Sequence, residues 1–356
     1  MTRVAVDCHM VGQPASGDAG NGRYARALTL ALAATAEDHD EVAALVASAE
    51  GARMLGEAVD VAGVPAADVP RLAWAAGRTL DRLGAEAAVF TYVSPTFSPC
   101  PVLLGIHDAT FMTNPEWLPA RARSVLRGLV PRSARRARLV LALSETAADD
   151  IASALGVDRG RIRVVSPYPD PVFRPADGAP ERVQERFGLR DYCLAVGDLG
   201  PRKNLAALGE AIRRLGAEAP ALALVGRPGP GGERIAAEAG GRWLGHVDDE
   251  TLADLYRAAA VTAYPSHYEG FGLPVVEAMA CGCPVVASAR GAIPEVAGGA
   301  AILVGPEPGS IAEGLRTALE PAAADRLRAA GPARAGRYTR EAMGRAAWAA
   351  VHEAAG

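Results

Sequence analysis

Short apolar runs alternate with amphipathic stretches along most of this chain, and no other feature limits its fold as much. Residues 3–7, 42–46, 89–92, 102–106, 139–143 and 162–165 read as strands, followed later by 192–196, 222–225, 243–247 (a strand and turn), 261–264 and 284–287. Residues 24–34, 147–155, 205–215 and 251–259 read as helices between them, the last capped by Asp248 or Asp249. Strands that alternate with helices predict α/β units built on parallel sheets. Residues 50–85 give no clear period. A length of 356 residues suits two domains. The stiff Ser166-Pro167-Tyr168-Pro169-Asp170-Pro171 stretch is the candidate linker, so domains over 1–170 and 171–335 are expected, with 336–356 as a terminal segment.

The most informative turn is Gly197-Asp198-Leu199-Gly200-Pro201-Arg202-Lys203-Asn204-Leu205. Lys203 is the only lysine, because the other 36 of the 37 basic residues are arginine. A chain that uses arginine everywhere else points to a place where a planar fork does not serve. Lysine is a compact point charge on a flexible stem. A strand, a glycine-rich turn and cations ahead of a helix describe an anion site, because free amides and the helix dipole point there. A surface loop that kept one lysine by chance is the alternative.

The densest motif is Glu269-Gly270-Phe271-Gly272-Leu273-Pro274-Val275-Val276-Glu277, ahead of Cys281-Gly282-Cys283 and the next strand. Pro274 suits a first helical turn and Gly282 a stop. The amides of Gly270, Phe271, Gly272 and Leu273 are expected to face a ligand. Glu269 precedes the helix and Glu277 lies within it, which places the carboxylates at opposite ends of a ligand-sized span. That spacing disfavours a paired-carboxylate hydrolase. A second cradle-like loop runs from Gly226 and Arg227 to Gly232. His107-Asp108 follows the strand at 102–106, at the edge where α/β sheets place ligands.

Other signals are weaker. Gly20-Asn21-Gly22-Arg23-Tyr24-Ala25 matches a dinucleotide fingerprint, but Gly20 lies more than ten residues beyond Asp7 and the fingerprint belongs at a strand end. The D-x-D within Glu37-Asp38-His39-Asp40-Glu41 reads as a solvated acidic turn. Residues 121–138 hold seven arginines and no acid, with Val125, Leu126, Leu129 and Val130 at helical spacing. That stretch is either a solvated helix face or a basic face for an anionic membrane or a phosphorylated acceptor.

Composition excludes several classes. The net charge of -4 is too mild for a general nucleic-acid binder. The five cysteines are scattered without a C-x-x-C pair, which argues against structural zinc and for a reducing compartment. No run reaches the ~18 apolar residues of a membrane span. The opening Met-Thr-Arg-Val-Ala-Val-Asp enters a strand directly, so no signal peptide and a cytoplasmic location are expected, with a peripheral seat on the inner membrane face if the arginines meet lipid.

Together these motifs resemble the retaining glycosyltransferases of the large two-Rossmann-domain family (family 4, group 1) that includes many bacterial mannosyltransferases and sucrose synthase. The resemblance covers most of 100–305 and rests on Ile106-His107-Asp108, Ser144-Glu145, the 197–205 turn, Gly245-His246-Val247 and Glu269 with Glu277. It implies a GT-B fold: two Rossmann-like domains facing across a cleft, with the C-terminal helix crossing back to the first. It also implies a nucleotide-diphosphate-sugar donor, a hydroxyl acceptor, and neither metal nor other cofactor. Arg202 and Lys203, with Gly197, Asn204 and Arg227 around them, would hold the diphosphate. Glu277 would hold the ribose, the His246-Val247 backbone the base, and Glu269 with the 270–273 amides the donor sugar. His107, with Asp108 orienting it, would sit beside that sugar, and His107, Glu269, Arg202 and Lys203 form the catalytic group. The family's compact N-terminal Gly-Gly-x-Gly-Arg-Tyr is stretched here, so only Gly22-Arg23-Tyr24 transfers. The alternatives are a sugar-binding relative without transfer activity and an NAD-dependent dehydrogenase. A phosphorylase is disfavoured, because the only lysine is in the diphosphate motif.

Overall fold

In the computed structural model, which describes residues 2–13, 20–57, 59–228 and 231–356, the chain forms two units. One comprises Met1–Tyr168 and Tyr338–Gly356, the other Pro169–Arg337. Gly17-Asp18-Ala19 of the stretched N-terminal loop, and Gly229 and Pro230 of the second cradle, lie outside the described residues.

Among the described residues the first unit holds seven strands: β1 (Thr2–Asp7), β2 (Asp40–Val46), β3 (Asp60–Gly63), β4 (Ala87–Thr91), β5 (Val102–Gly105), β6 (Leu139–Ala142) and β7 (Ile162–Val164). Their order is β3-β2-β1-β4-β5-β6-β7. All their pairings are parallel. β5 and β6 are buried at every residue, as a parallel sheet covered on both faces requires, and that is why they read as continuous apolar runs. The helix at 24–34 begins earlier than its periodicity indicates, at Gly20, and runs to Thr35. The terminal helix Arg340–Ala355 packs against it. Gly344 makes the close approach possible, since a Cβ there would stand 2.5 Å from the Ala31 carbonyl oxygen. The Trp348 indole donates to the Leu32 carbonyl at 3.0 Å.

The second unit repeats the plan with β8 (Tyr192–Val196), β9 (Ala221–Val225), β10 (Arg242–Trp243), β11 (Val261–Tyr264), β12 (Val285–Ser288) and β13 (Ile302–Val304). The order is β10-β9-β8-β11-β12-β13. Helix Leu205–Arg214 turns Leu205, Leu208 and Ala211 into the core below. Helix Asp249–Ala258 is capped by Asp248, whose carboxylate accepts from the Thr251 amide at 2.7 Å. Both sheets are doubly wound. The order reverses between β1 and β4 in the first unit and between β8 and β11 in the second, and ligands of such sheets bind beyond the carboxyl ends at that reversal.

Residues 50–85, unreadable by periodicity, contain helix Ala49–Leu55, β3, a π-helical turn Arg71–Ala75 and helix Ala76–Leu83. The dinucleotide-like Gly20 and Gly22 sit within the first turn of a helix rather than in a strand-to-helix turn. The geometry a nicotinamide reading needs is therefore missing there.

Candidate active site

The two halves of the site in the second unit follow β8 and β11, the strands on either side of its reversal. After β8 the chain passes Gly197 at φ 137°, a region that favours glycine. A Cβ at Gly197 would lie 2.6 Å from Lys203 Cε, so the lysine stem occupies the space a side chain would need. Pro201–Lys203 forms a single 3-10 turn, and Asn204, left-handed at φ 56°, leads into helix Leu205–Arg214. The Asn204 amide fixes this turn by donating to the Pro306 carbonyl at 2.9 Å and to Pro265 at 3.2 Å.

After β11 the chain supplies Glu269. Lys203 Nζ donates to Glu269 Oε1 at 2.7 Å and to the Tyr264 hydroxyl at 2.6 Å. The Arg202 guanidinium pairs with the other carboxylate oxygen and donates to the Tyr268 carbonyl at 3.0 Å. Lys203 and Glu269 are buried, whereas the Arg202 side chain keeps 32% of its surface. Burial pushes the Glu269 carboxyl up, but the Arg202 and Lys203 charges outweigh it and bring it to about 2. Burial, and to a lesser degree Arg202, pulls the Lys203 ammonium down against the opposing pull of Glu269. Two basic side chains thus share one buried carboxylate. Leu273–Ala280 begins just beyond, with Pro274 in its first turn, so Gly270 to Leu273 lie at a helix N-terminus.

Glu277 lies in that helix, almost wholly buried, and accepts from the Tyr256 hydroxyl at 3.3 Å. Arg227 follows β9, and its carbonyl accepts from the Leu199 amide at 2.9 Å. His246 is exposed and Val247 half-buried beyond β10. Gly22 belongs to the first unit, in helix Gly20–Thr35. Lys203, Arg202 and Glu269 are thus in contact, Asn204 braces them, and Gly197 makes room.

In the first unit His107 projects beyond β5. It is 9% exposed, with its ring edge-on to Tyr24 at 4.7 Å between centroids and tilted against Tyr92 at 5.4 Å. Its Nε2 is buried without a hydrogen-bond partner. Burial lowers its pKa to about 4, so the imidazole is neutral at physiological pH. The expected Asp108–His107 pairing is a correction. The Asp108 carboxylate instead accepts from the Thr110 amide at 2.9 Å and hydroxyl at 2.6 Å, closing a turn of its own.

Two features escaped the sequence. Tyr264, the last residue of β11, holds Lys203. At the end of β1 a buried ion pair joins Asp7 to Arg71, which also donates to Asp68 at 2.6 Å, while His9 Nδ1 lies 3.1 Å from Asp7. Arg71 stands on the π-helical turn, a distortion that often marks functional sites.

Residues 190–321 match the family model described as Glycosyl transferases group 1. Over that span the chain is similar to the group 1 glycosyl transferases. The matched span contains every charged residue of the Lys203 cluster. Among relatives of the chain, the O-antigen chain mannosyltransferase B of Escherichia coli is 34% identical over 213 residues, 56% of each chain. The MMP alpha-(1->4)-mannosyltransferase of Mycolicibacterium hassiacum is 39% identical over 175 residues, 47% of this chain and 41% of that one. The chain thus spans about half the length of the curated relatives it matches. The solved structure of Anabaena HepE in complex with UDP-glucose superposes with a TM-score of 0.76 at 17% identity, covering 99% of this chain and 100% of that one. The chain therefore has the GT-B fold of two Rossmann-like domains.

Proposed function

We propose that the chain is a glycosyltransferase that moves a hexose from a nucleotide-diphosphate sugar to a hydroxyl acceptor, with retention and without a metal ion in the transfer step. The observation that supports this most is the contact of Arg202, Lys203 and Glu269 at the strand-order reversal of the second unit. When the anomeric carbon–oxygen bond breaks, the electron pair leaves with the nucleoside diphosphate. Fixed cations and oriented amides stabilise that growing charge without reorganising. In this reading Arg202 and Lys203 hold the diphosphate and the Gly270 to Leu273 amides lie along the donor sugar. Glu269 keeps the two cations in place and reaches the sugar. Glu277 serves the ribose and the backbone at His246 and Val247 the base. His107 contributes a neutral nitrogen whose hydrogen bond within the fold is unmade. Retention rests on the family resemblance. The mannosyltransferase names of the relatives favour GDP-mannose, and the UDP-glucose complex of the solved neighbour favours a UDP sugar.

Thermal shift with UDP, GDP and ADP in EDTA tests the reading. One nucleoside diphosphate should raise Tm, and its hexose conjugate should then be consumed with an alcohol acceptor. Failure of all three to bind, or transfer only after manganese or magnesium is added, overturns it.

Helix Ala120–Arg136 supports a second reading that concerns location. It leaves Val125 47% and Leu129 43% exposed among its arginines, and no helix among the described residues is long and apolar enough to cross a membrane. We propose that this face meets an anionic membrane surface. Vesicle binding should fall as salt rises.

A further inference from the structure

The acidic turn before β2 meets the end of the terminal helix. His352, in the last turn of helix Arg340–Ala355, places Nε2 3.1 Å from Asp40 Oδ1. His39 Nε2 lies 3.9 Å from the same oxygen and 3.8 Å from a Glu37 carboxylate oxygen. One donor atom from each of His39, Asp40 and His352 falls within 4.8 Å of the others. The two imidazoles lie nearly parallel, with centroids 6.4 Å apart, and Trp348 stacks on His352 at 5.3 Å.

We infer that His39, Asp40 and His352 bind a divalent transition-metal ion of the zinc class, which clasps the terminal helix to the first sheet. Four physical points carry this. First, donors about 2.0 Å from a tetrahedral Zn2+ stand roughly 3.3 Å from one another. The two Asp40–imidazole distances, 3.1 and 3.9 Å, bracket that value. Second, the Asp40 side chain is 1% exposed, and its Oδ2 is buried with no hydrogen-bond partner. A buried carboxylate left half-satisfied is unfavourable, and a bound cation compensates it. Third, His352 sits at a helix C-terminus, where the backbone carbonyls carry partial negative charge, and Glu37, Asp38 and Glu41 surround the turn. Glu41 is committed to Arg3, which leaves the field of the other acids on the cluster. Fourth, both histidines keep a face in solvent, His39 at 56% and His352 at 41%, so an ion can enter and retain water as a fourth ligand. Two imidazoles among three donors favour zinc, cobalt, nickel or copper over magnesium or calcium.

The location separates this site from the transfer chemistry. Asp40 opens β2 and pairs with Thr2 at the start of β1, whereas His107 lies beyond the carboxyl end of β5 in the same parallel sheet. The ion therefore sits at the edge of that sheet opposite His107. Its effect is on stability, because it ties residues 312 positions apart in sequence.

Titration of the untagged, EDTA-stripped full chain with Zn2+ alone, and with Co2+ as a visible-absorption probe, tests the site. One ion should bind per chain, raise Tm by roughly 5 °C at 100-fold excess over Kd, and give the spectrum of a nitrogen-ligated Co2+ centre. His352→Ala and His39→Ala should each weaken binding at least about tenfold, the scale seen even for residues one shell further out. His9→Ala should not, and Mg2+ should not compete. The histidine variants change exposed side chains, so the folded chain remains available even if Asp40→Asn lowers stability. Absence of Zn2+ binding, or binding that survives both histidine substitutions, overturns the proposal and leaves a hydrogen-bonded clasp.

Discussion

The carboxyl edges of the two sheets solve opposite electrostatic problems. In the second unit the edge is charged and internally compensated: Lys203 and Arg202 share Glu269, and each charged group is held by another. In the first unit the edge at His107 is neutral and uncompensated, a buried imidazole between aromatic rings with one nitrogen unused. A charged edge suits a ligand that arrives ionised, while a neutral edge suits one that presents hydroxyls. The same doubly wound sheet supports both because the chemistry lives in the turns after the strands.

Removing the shared carboxylate should have the largest effect. Glu269→Ala leaves Lys203 buried beside a second cation, and breaking a buried pair in this way costs about 3–5 kcal/mol. Chemical denaturation followed in the second unit should show a loss of that size, and His107→Ala should not produce it there. Wild-type stability in Glu269→Ala would mean that the cations are compensated elsewhere and that the charged edge is not built around this carboxylate.

Acid should separate the two edges. His107 has a pKa of about 4 when folded, below the ~6.5 of an unfolded histidine, so the unfolded chain binds the extra proton between those values. Stability of the first unit should therefore fall as pH drops from 6.5 to 4, by up to roughly 3 kcal/mol at 1.36 kcal/mol per pKa unit. Glu269 is depressed to about 2 from an unfolded ~4.3, so its contribution is complete above 4.3 and is lost only as pH falls toward 2. Hydrogen exchange resolved by unit should show the first sheet loosening before the second. The reverse order would show that the buried imidazole does not set the acid sensitivity of the first sheet.

These differences also show what was legible in the sequence. Strands buried on both faces, such as β5 and β6, announce themselves as apolar runs. β3 does not, because it is an edge strand with three of its four residues exposed, Val61 at 46%. The π-helical turn carrying Arg71 gave no local signal either, since its partner Asp7 lies 64 residues away. Lys203 was legible because it is chemically singular in the chain. Tyr264 was not, because a tyrosine ending a strand looks like core until the sheet order places it beside Lys203. Asp108 was misread through adjacency: its neighbour in sequence is His107, but the nearest donors belong to Thr110, two residues on.

The neutral edge predicts a kinetic effect without a binding one. His107→Ala should lower kcat by roughly 10²-fold or more, the scale of one positioned catalytic group, because its contacts strengthen as charge develops at the anomeric carbon. Affinity for the bare nucleoside diphosphate, which lacks the sugar, should change little. Lost nucleotide affinity with kcat retained would move His107 out of the catalytic role.

The charged edge predicts a binding effect with a shape requirement. Lys203→Ala should weaken nucleoside diphosphate binding by about 1.5–3 kcal/mol, the range for hydrogen bonds to charged groups. Lys203→Arg keeps the charge and separates two explanations. The lysine stem passes within 2.6 Å of where a Gly197 Cβ would stand, and its ammonium bonds both Tyr264 and Glu269 from that channel. A planar guanidinium cannot enter so narrow a space and point its donors in the same directions. Calorimetry should therefore find Lys203→Arg impaired as well, and closer to Lys203→Ala than to wild type. Full rescue by arginine would show that only charge matters at this position. Wild-type binding in both variants would remove Lys203 from the diphosphate site altogether.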